Sequence, residues 1–354
     1  MKPEHPPRPA QPRAAARGRK PASIYDVAKH AGVSIKTVSR VINHMPYVSS
    51  DAKARVMAAI DEFSYRPNLF ARGLASERSL LIGMLYDNPS AGYIAGVQLG
   101  ALEGCRKEGY HLIVEELNGQ NLRVAEELHS LIAQSSLHGV ILTPPLGDQP
   151  AVLEALTSAH VPFVRIAPEK PMEGAPSVSI DDRLAARDMT DYLIGLGHRR
   201  IGFIKGHPEH GAARARFEGF RDSLKRAGLP FVEDFCVQGY FSYQSGMEAA
   251  QTLLSLKERP TAIFAANDDM AAAVLATSQR FNLKLPQQLS VAGFDDSLVA
   301  QVVWPPLTTV RQPIKEMAIA AVTLLTRKPV EGVLLQQRLN HELVIRQSTA
   351  PPGG

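Results

Sequence analysis

The chain of 354 residues is 45% hydrophobic with 26 glycines and 26 prolines, enough apolar material for a soluble globular protein of two or three domains. Its charge is uneven: residues 1–78 hold 14 Lys and Arg against 6 Asp and Glu, a surplus of +8, so the rest stands at −4 within a chain of +4. Two distant cysteines, Cys105 and Cys236, argue against a disulfide framework or a zinc site, and no run is apolar and long enough for a membrane helix.

Residues 1–20, rich in Pro, Ala and Arg, lack the apolar segment of a secretory signal and read as a disordered basic arm, so a cytoplasmic location is expected. From Ser23 to Asn43 the pattern is two short helices around a tight turn. Ser23 and Asp26 have the form of a capping box, Gly32 ends the first helix, and Ser34 can cap the second. Val38, Val41 and Ile42 share one face of that second helix, while Lys36, Ser39, Arg40 and Asn43 lie opposite. An apolar stripe backed by donors and cations is what a helix needs to lie in the major groove of DNA. A third helix over Ser50–Phe63 offers Val56, Ile60 and Phe63 to close a miniature core, giving a DNA-binding head over residues 21–66.

Residues 67–79 come next as hinge and linker. Asn68 can cap a helix of about two turns that is marginal alone in water and further weakened by Gly73. Arg72 supplies a cation and Leu74 an apolar wedge, the pairing by which minor-groove binders open a base step. From Leu81 the pattern changes to aliphatic runs alternating with helices, namely LLIGMLY, HLIVEEL, GVILT and PFVRIA, then RIGFIKG, FCVQGY, TAIFAAN and LSVAGFD. Such alternation means parallel sheets covered by helices. So many strands fit two α/β lobes better than one sheet, with the break near Asp181. The core spans residues 80–346, and the tail, residues 347–354, is expected to be disordered.

The ordered motifs YDVAKHAGVSIKTVSRVIN, YRPNLFARGLA, GHRRIGFIKG with RARFEGF, ANDDMA, LSVAGFDD and PPLTTVRQP resemble those of the lactose-repressor (LacI) family of bacterial transcription regulators. The resemblance covers Ile24 to Arg346. It implies a homodimer that binds double-stranded operator DNA through one head per subunit, a hinge helix, and a core like that of type I periplasmic sugar-binding proteins, crossed three times by the chain.

For base reading, the resemblance and the facing of the helix agree on Ile35, Lys36 and Arg40. Arg40 and Lys36 can donate to guanine O6 and N7, and Ile35 can pack on a thymine methyl. The pair Ile35–Lys36 departs from the polar or aromatic pair common in the family, so the operator's central bases cannot be copied from better-known members. Tyr25, Ser34, Thr37, Ser39 and Asn43 are candidates for backbone contacts, and Asn68, Arg72 and Leu74 for the minor groove. The matching motifs put an effector, most simply a sugar, on Asp87, Tyr93, Arg216, Phe241, Asn267 and Asp295. Carboxylate, amide and guanidinium groups suit its hydroxyls and Phe241 its ring face. Singly each of these has an ordinary structural alternative; only the set points to an effector.

Enzyme readings fare badly. The spacing Gly195, Gly197, Gly202 departs from a dinucleotide fingerprint and leads into a strand instead of opening a helix, and no P-loop or HExxH occurs. No cofactor or metal is expected. A purine-type corepressor is the alternative to a sugar inducer, and a transport-associated sugar-binding protein is the alternative class.

Overall fold

The computed structural model describes residues 22–42, 45–65, 79–327 and 335–353. The predicted arm and hinge, with Asn43, Asn68, Arg72 and Leu74, lie outside the described residues. The chain forms two compact units, residues 1–78 and 79–354.

In the first unit, α1 (Ile24–Ala31), α2 (Ile35–Ile42) and α3 (Ser50–Glu62) follow the expected order. The capping box is complete: the Ser23 amide and hydroxyl donate to Asp26 Oδ2 at 2.8 and 2.7 Å. Those bonds hold the Asp26 carboxyl below its usual range, leaving a negative charge at the positive end of α1. Gly32, at φ +62°, turns the chain out of α1, and Arg55 from α3 donates to the Ala31 carbonyl at 3.0 Å. Val27, Ala28, Ala31, Val38, Val41, Val56 and Ala59 form the miniature core, with Ile42, Ile60 and Phe63 packed at its edge.

The second unit contains two six-stranded sheets. Lobe 1 holds β1 (Leu81–Tyr86), β2 (His111–Glu116), β3 (Gly139–Leu142), β4 (Phe163–Ile166), β5 (Ser177–Ser179) and β11 (Gln336–Arg338), in the order β11-β5-β4-β3-β1-β2. Lobe 2 holds β6 (Ile201–Lys205), β7 (Cys236–Gln238), β8 (Ala262–Ala265), β9 (Ser290–Asp295), β10 (Thr308–Arg311) and β12 (Glu342–Val344), in the order β12-β10-β9-β8-β6-β7. All pairings between these strands are parallel except β10 with β12. The chain passes between lobes after β5, after β10 and between β11 and β12, which makes the three crossings expected.

Helices α4 (Ala91–Glu108), α5 (Val124–Ser135), α6 (Pro150–Ser158) and α12 (Ile314–Thr326) accompany the first sheet. The second has α7 (Asp182–Gly195), α8 (Gly211–Arg226), α9 (Tyr243–Leu254), α10 (Asp268–Arg280) and the short α11 (Leu298–Val302). Gly100 sits so close to the Lys315 carbonyl that α4 and α12 could not pack this way with a side chain there. In lobe 2, Phe203 stacks on Phe220 and meets Phe264 edge-on, with centroids 4.9 and 5.2 Å apart. Each such fully buried ring contributes about 1.5–3 kcal/mol.

The tail corrects an expectation. Residues 347–353 are not a loose end but a strap on the lobe 2 sheet. Buried Ser348 accepts from the Val291 amide at 2.8 Å through its carbonyl and from the Thr308 amide at 2.8 Å through its hydroxyl. His198 Nε2 lies 3.0 Å from the Ala350 carbonyl, and burial lowers the pKa of that imidazole. These contacts are polar, those of Ser348 being made to the inner strands β9 and β10, so the tail's composition gives no apolar signal of them.

Candidate functional site

On the head, α2 turns Val38 and Val41 inward, which leaves Lys36 and Arg40 exposed and Ile35 38% exposed on the outer side. Tyr25 at the start of α1 is 69% exposed. Ser34 and Thr37 are partly committed to each other: the Thr37 amide donates to Ser34 Oγ at 3.2 Å and the two hydroxyls lie 3.0 Å apart. Ser39 is half-buried on the same helix. An apolar side chain next to two unburied cations is a surface able to touch both base edges and phosphates.

In the core, the carboxyl ends of the strands of both lobes converge on one cavity, the position where open α/β sheets bind ligands. It is lined by Asn88, Ser90, Tyr93, Pro144 and Ala167 from lobe 1 and by His210, Ala212, Arg216, Phe241, Asn267, Asp295 and Gln312 from lobe 2. Five of the six predicted effector residues therefore meet there. Asp87 does not: its Oδ2 accepts from the Gly119 amide at 2.8 Å and ties down the loop after β2. Asn88 and Ser90, just beyond it, take its place on the wall.

The groups on the wall differ in what they have left to offer. Tyr93 is 7% exposed and its hydroxyl has no hydrogen-bond partner among the described residues; burial pushes its pKa up and keeps it a neutral donor and acceptor. Arg216, 5% exposed, donates from Nε to Asp182 at 2.8 Å and from Nη1 to the Ala266 carbonyl at 2.7 Å. Its guanidinium lies 3.6 Å over the Phe294 ring centroid. Asp295 Oδ1 accepts from Gln312 Nε2 at 2.6 Å and lies 3.8 Å from Arg216 Nη1. Burial raises the Asp295 pKa to about 7 against the pull of Arg216. Behind it, Asp268 accepts from Thr309 Oγ1 at 2.6 Å and from the Ser297 amide at 2.8 Å. Asp268, too, is raised by burial and by the charge of Asp295.

His210 is held neutral, its pKa lowered to about 3 by burial and by the neighbouring His207 and Arg216. Asn267 is largely spent on structure, since its amide caps α10 and holds the Phe241 carbonyl. Phe241 itself has φ +61°, and Asp295 has φ +117°. Strain of this kind persists where the surroundings over-determine it, and it gathers at functional sites. His210, Gln312 and Asn88 escaped the sequence reading because they sit in loops whose only mark is position after a strand.

The cavity is small, with about 30 Å³ of free space, room for two or three waters at roughly 10–15 Å³ each. Three contacts hold the lobes together over it. Ser90 Oγ donates to Asp269 Oδ2 at 2.7 Å, Arg214 makes a fork to Glu169 with both bonds at 2.9 Å, and Gln120 donates to Glu209. Among the described residues no cluster of His, Cys, Asp and Glu is arranged for a metal ion, and no helix is long and apolar enough to cross a membrane.

A three-helix head with an exposed second helix, followed in the chain by a two-lobed core with a polar cleft at its strand ends, defines a DNA-binding regulator with a small-molecule sensor. Residues 23–68 match the bacterial regulatory proteins, lacI family, and residues 190–349 match the periplasmic binding protein-like domain. The chain is 36% identical to the ribose operon repressor of Escherichia coli, over 90% of this chain and 96% of that one. It is 32% identical to the HTH-type transcriptional repressor PurR of Photobacterium profundum, over 92% and 98%. The structure of the lac repressor dimer bound to operator and the anti-inducer ONPF is similar, with a TM-score of 0.81 at 27% identity, covering 94% of this chain and 100% of that one. The chain belongs to the LacI family and is a DNA-binding transcriptional regulator. These relatives are regulators, which sets aside the enzyme and transport readings.

Proposed function

We propose that the protein is a homodimeric repressor, acting in the cytoplasm, that is released from a pseudo-palindromic operator when a small sugar enters the cleft. The observation that carries the effector reading is the wall itself. The unpartnered Tyr93 hydroxyl, the Asp295 carboxylate, the Gln312 amide and the Arg216 guanidinium surround one apolar ring, Phe241, a set suited to hydroxyls around a pyranose or furanose. Ile35, Lys36 and Arg40 read bases, with Tyr25, Ser34, Thr37, Ser39 and Asn43 on the backbone. The hinge, through Asn68, Arg72 and Leu74, enters the minor groove. Dimerisation is supported by an exposed apolar patch on lobe 2: Leu298, Val302 and Trp304 are 73%, 69% and 76% exposed.

Release follows if the sugar selects a lobe arrangement that separates the two hinges of the dimer. Coupling of this kind is typically about 1–3 kcal/mol, enough to lower operator affinity roughly 5–150-fold. A thermal-shift screen of sugars and purines, followed by titration of the footprinted operator with each hit, tests the reading. A sugar that stabilises the protein and weakens operator binding is the expected result. A specific feature also favours a purine corepressor: Tyr93 and Phe241 bring aromatic rings to the cavity from opposite lobes, as a flat base requires. A purine that tightens operator binding would replace the sugar reading.

A further inference from the structure

Two adjacent acids open α7, and the helix hydrogen-bonds only one of them. Asp181 caps it, accepting from the Leu184 amide at 3.0 Å. Asp182 is turned inward and buried, with Oδ1 receiving Arg216 Nε at 2.8 Å. As an acid in the first turn Asp182 also suits the helix dipole, but its side chain makes no hydrogen bond within α7 among the described residues. Taking the cleft as the effector site, as in the reading above, we propose that Asp182 is a specificity determinant: by engaging Arg216 it restricts the cleft to uncharged effectors and excludes phosphorylated or carboxylated ones.

A guanidinium has only a few donors to give. Recognition of phosphate by arginine draws on two parallel N–H donors and a net positive charge. In this cleft Nε is taken by Asp182, Nη1 already donates to the Ala266 carbonyl, and the face is covered by Phe294. Nη2 is the nitrogen with no hydrogen bond among the described residues, and one uncommitted nitrogen suits a single hydroxyl.

Charge points the same way. Arginine stays protonated in a protein; burial raises the pKa of the Asp182 carboxyl while the charge and hydrogen bond of Arg216 pull it back down, and as an ion pair the two bring no net charge to the cavity. Asp295 adds a further carboxyl on the wall and Asp268 another behind it. The other basic group on the wall, His210, is neutral. A phosphate entering this space would lose its hydration and meet no uncompensated cation, which is costly in a low-dielectric site. A free sugar meets acceptors at Asp295, a donor at Arg216 and a hydroxyl at Tyr93, without that penalty.

The test uses the full-length protein, wild type and Asp182→Asn, a near-isosteric change that keeps an acceptor for Arg216 Nε but removes the charge. Asp182→Ser serves as a second variant. Melting temperature and calorimetric binding are measured with inorganic phosphate against chloride at equal ionic strength. D-ribose and D-glucose are then compared with their own phosphate esters, alongside hypoxanthine. Anion binding by the basic head is common to all three proteins and cancels in the comparison. The variants should melt below wild type, recover in phosphate but not in chloride, and bind phosphate or a phosphate ester on the order of tenfold or more tighter than wild type does. A purely structural role for Asp182 would lower the melting temperature without the phosphate-specific recovery. Equal phosphate response in variant and wild type overturns the proposal, as does a wild type that binds a sugar phosphate as tightly as the free sugar. Hypoxanthine binding to wild type with no sugar response would instead overturn the sugar reading and leave the role of Asp182 standing.

Discussion

Asn267 donates from Nδ2 to the Phe241 carbonyl at 2.8 Å while its Oδ1 accepts the Met270 amide at 3.0 Å, so one side chain caps α10 and anchors the aromatic wall of the cleft. Phe241 needs such an anchor, since a non-glycine residue at φ +61° costs about 1–3 kcal/mol unless its surroundings fix it. Its ring also lies where a side chain on Gly206 would be, so only glycine fits there. Asn267→Ala should therefore cost about 0.5–2 kcal/mol through the lost cap and release the ring as well. We expect a melting temperature lower by a few degrees, a loss of effector binding beyond what the stability change explains, and operator binding retained at temperatures where the variant is folded. Unchanged effector affinity would mean that Phe241 is positioned by Gly206 alone.

Arg40 offers a different kind of test, because its exposure leaves its contacts on DNA to decide its role. Arg40→Ala should cost roughly 1–3 kcal/mol of operator affinity and relax the preference at one base pair in each half-site. Binding measured on a set of single-base operator variants separates the outcomes. Uniform weakening on every sequence would assign Arg40 to phosphate.

How much of this was legible follows from how local each signal is. The head was readable because Ser23 and Asp26 are three residues apart and Val38 and Val41 are one helical turn apart, so cap and core both lie within a short window. The strands β1 to β4 announce themselves as aliphatic runs. By contrast β5, β11 and β12 are three residues each, two of them polar, and exist only because a sheet edge is there to receive them. Motifs at strand ends bring five of the six expected residues to one cavity, but nothing in the neighbours of Asp87 reveals that the Gly119 amide claims it and keeps it off the wall. The tail was misread for the same reason: its partners, Val291, Thr308 and His198, are distant in sequence.

The fork between Glu169 and Arg214 spans the two lobes, which gives it a consequence beyond its stability. Both side chains are partly solvent-exposed, 29% and 53%, so the pair contributes little to folding, at most about 1 kcal/mol. The same energy acting on lobe closure shifts the fraction of closed protein and hence the apparent effector affinity by up to about fivefold. Glu169→Ala should thus leave the melting temperature nearly unchanged, weaken effector binding several-fold mainly through faster release, and increase the radius of gyration in solution scattering. An unaltered release rate would show that Ser90–Asp269 and Gln120–Glu209 suffice to hold the lobes.

Trp304, the chain's single tryptophan, is exposed beside Leu298 and Val302 on lobe 2. Covering this patch removes apolar surface at about 25 cal/mol per Å², and a charge at its centre would oppose that. Trp304→Glu should sediment as a monomer and lose most operator affinity, since one head reads only half a site. Effector binding, made within one chain, should survive. A dimeric Trp304→Glu would move the interface elsewhere.

Asp295 gives the protein a pH dependence whose sign can be worked out. Burial raises its folded pKa from the ordinary 3.8 to about 7, with Arg216 and Gln312 pulling the other way. Between those values the folded chain keeps a proton that the unfolded chain has released, so this group's contribution to stability falls as pH rises through the window and is lowest above 7. The slope is at most that of one proton, about 1.4 kcal/mol per pH unit, and Asp268, facing the same charge, shares the titration. His210 works in the opposite direction: its pKa is lowered from 6.5 to about 3, so it costs stability as pH falls below 6.5. Comparing wild type with Asp295→Asn cancels the histidine and isolates the acid. The stability difference in favour of Asp295→Asn should grow between pH 4.5 and 7.5 and then level off, as read by calorimetric melting across that range. Effector affinity of the wild type should rise over the same interval, because ionised Asp295 accepts hydroxyl protons through both oxygens while the acid must give one of them up. Parallel melting curves for the two proteins at every pH would show that Asp295 stays ionised throughout, with Asp268 holding the proton instead.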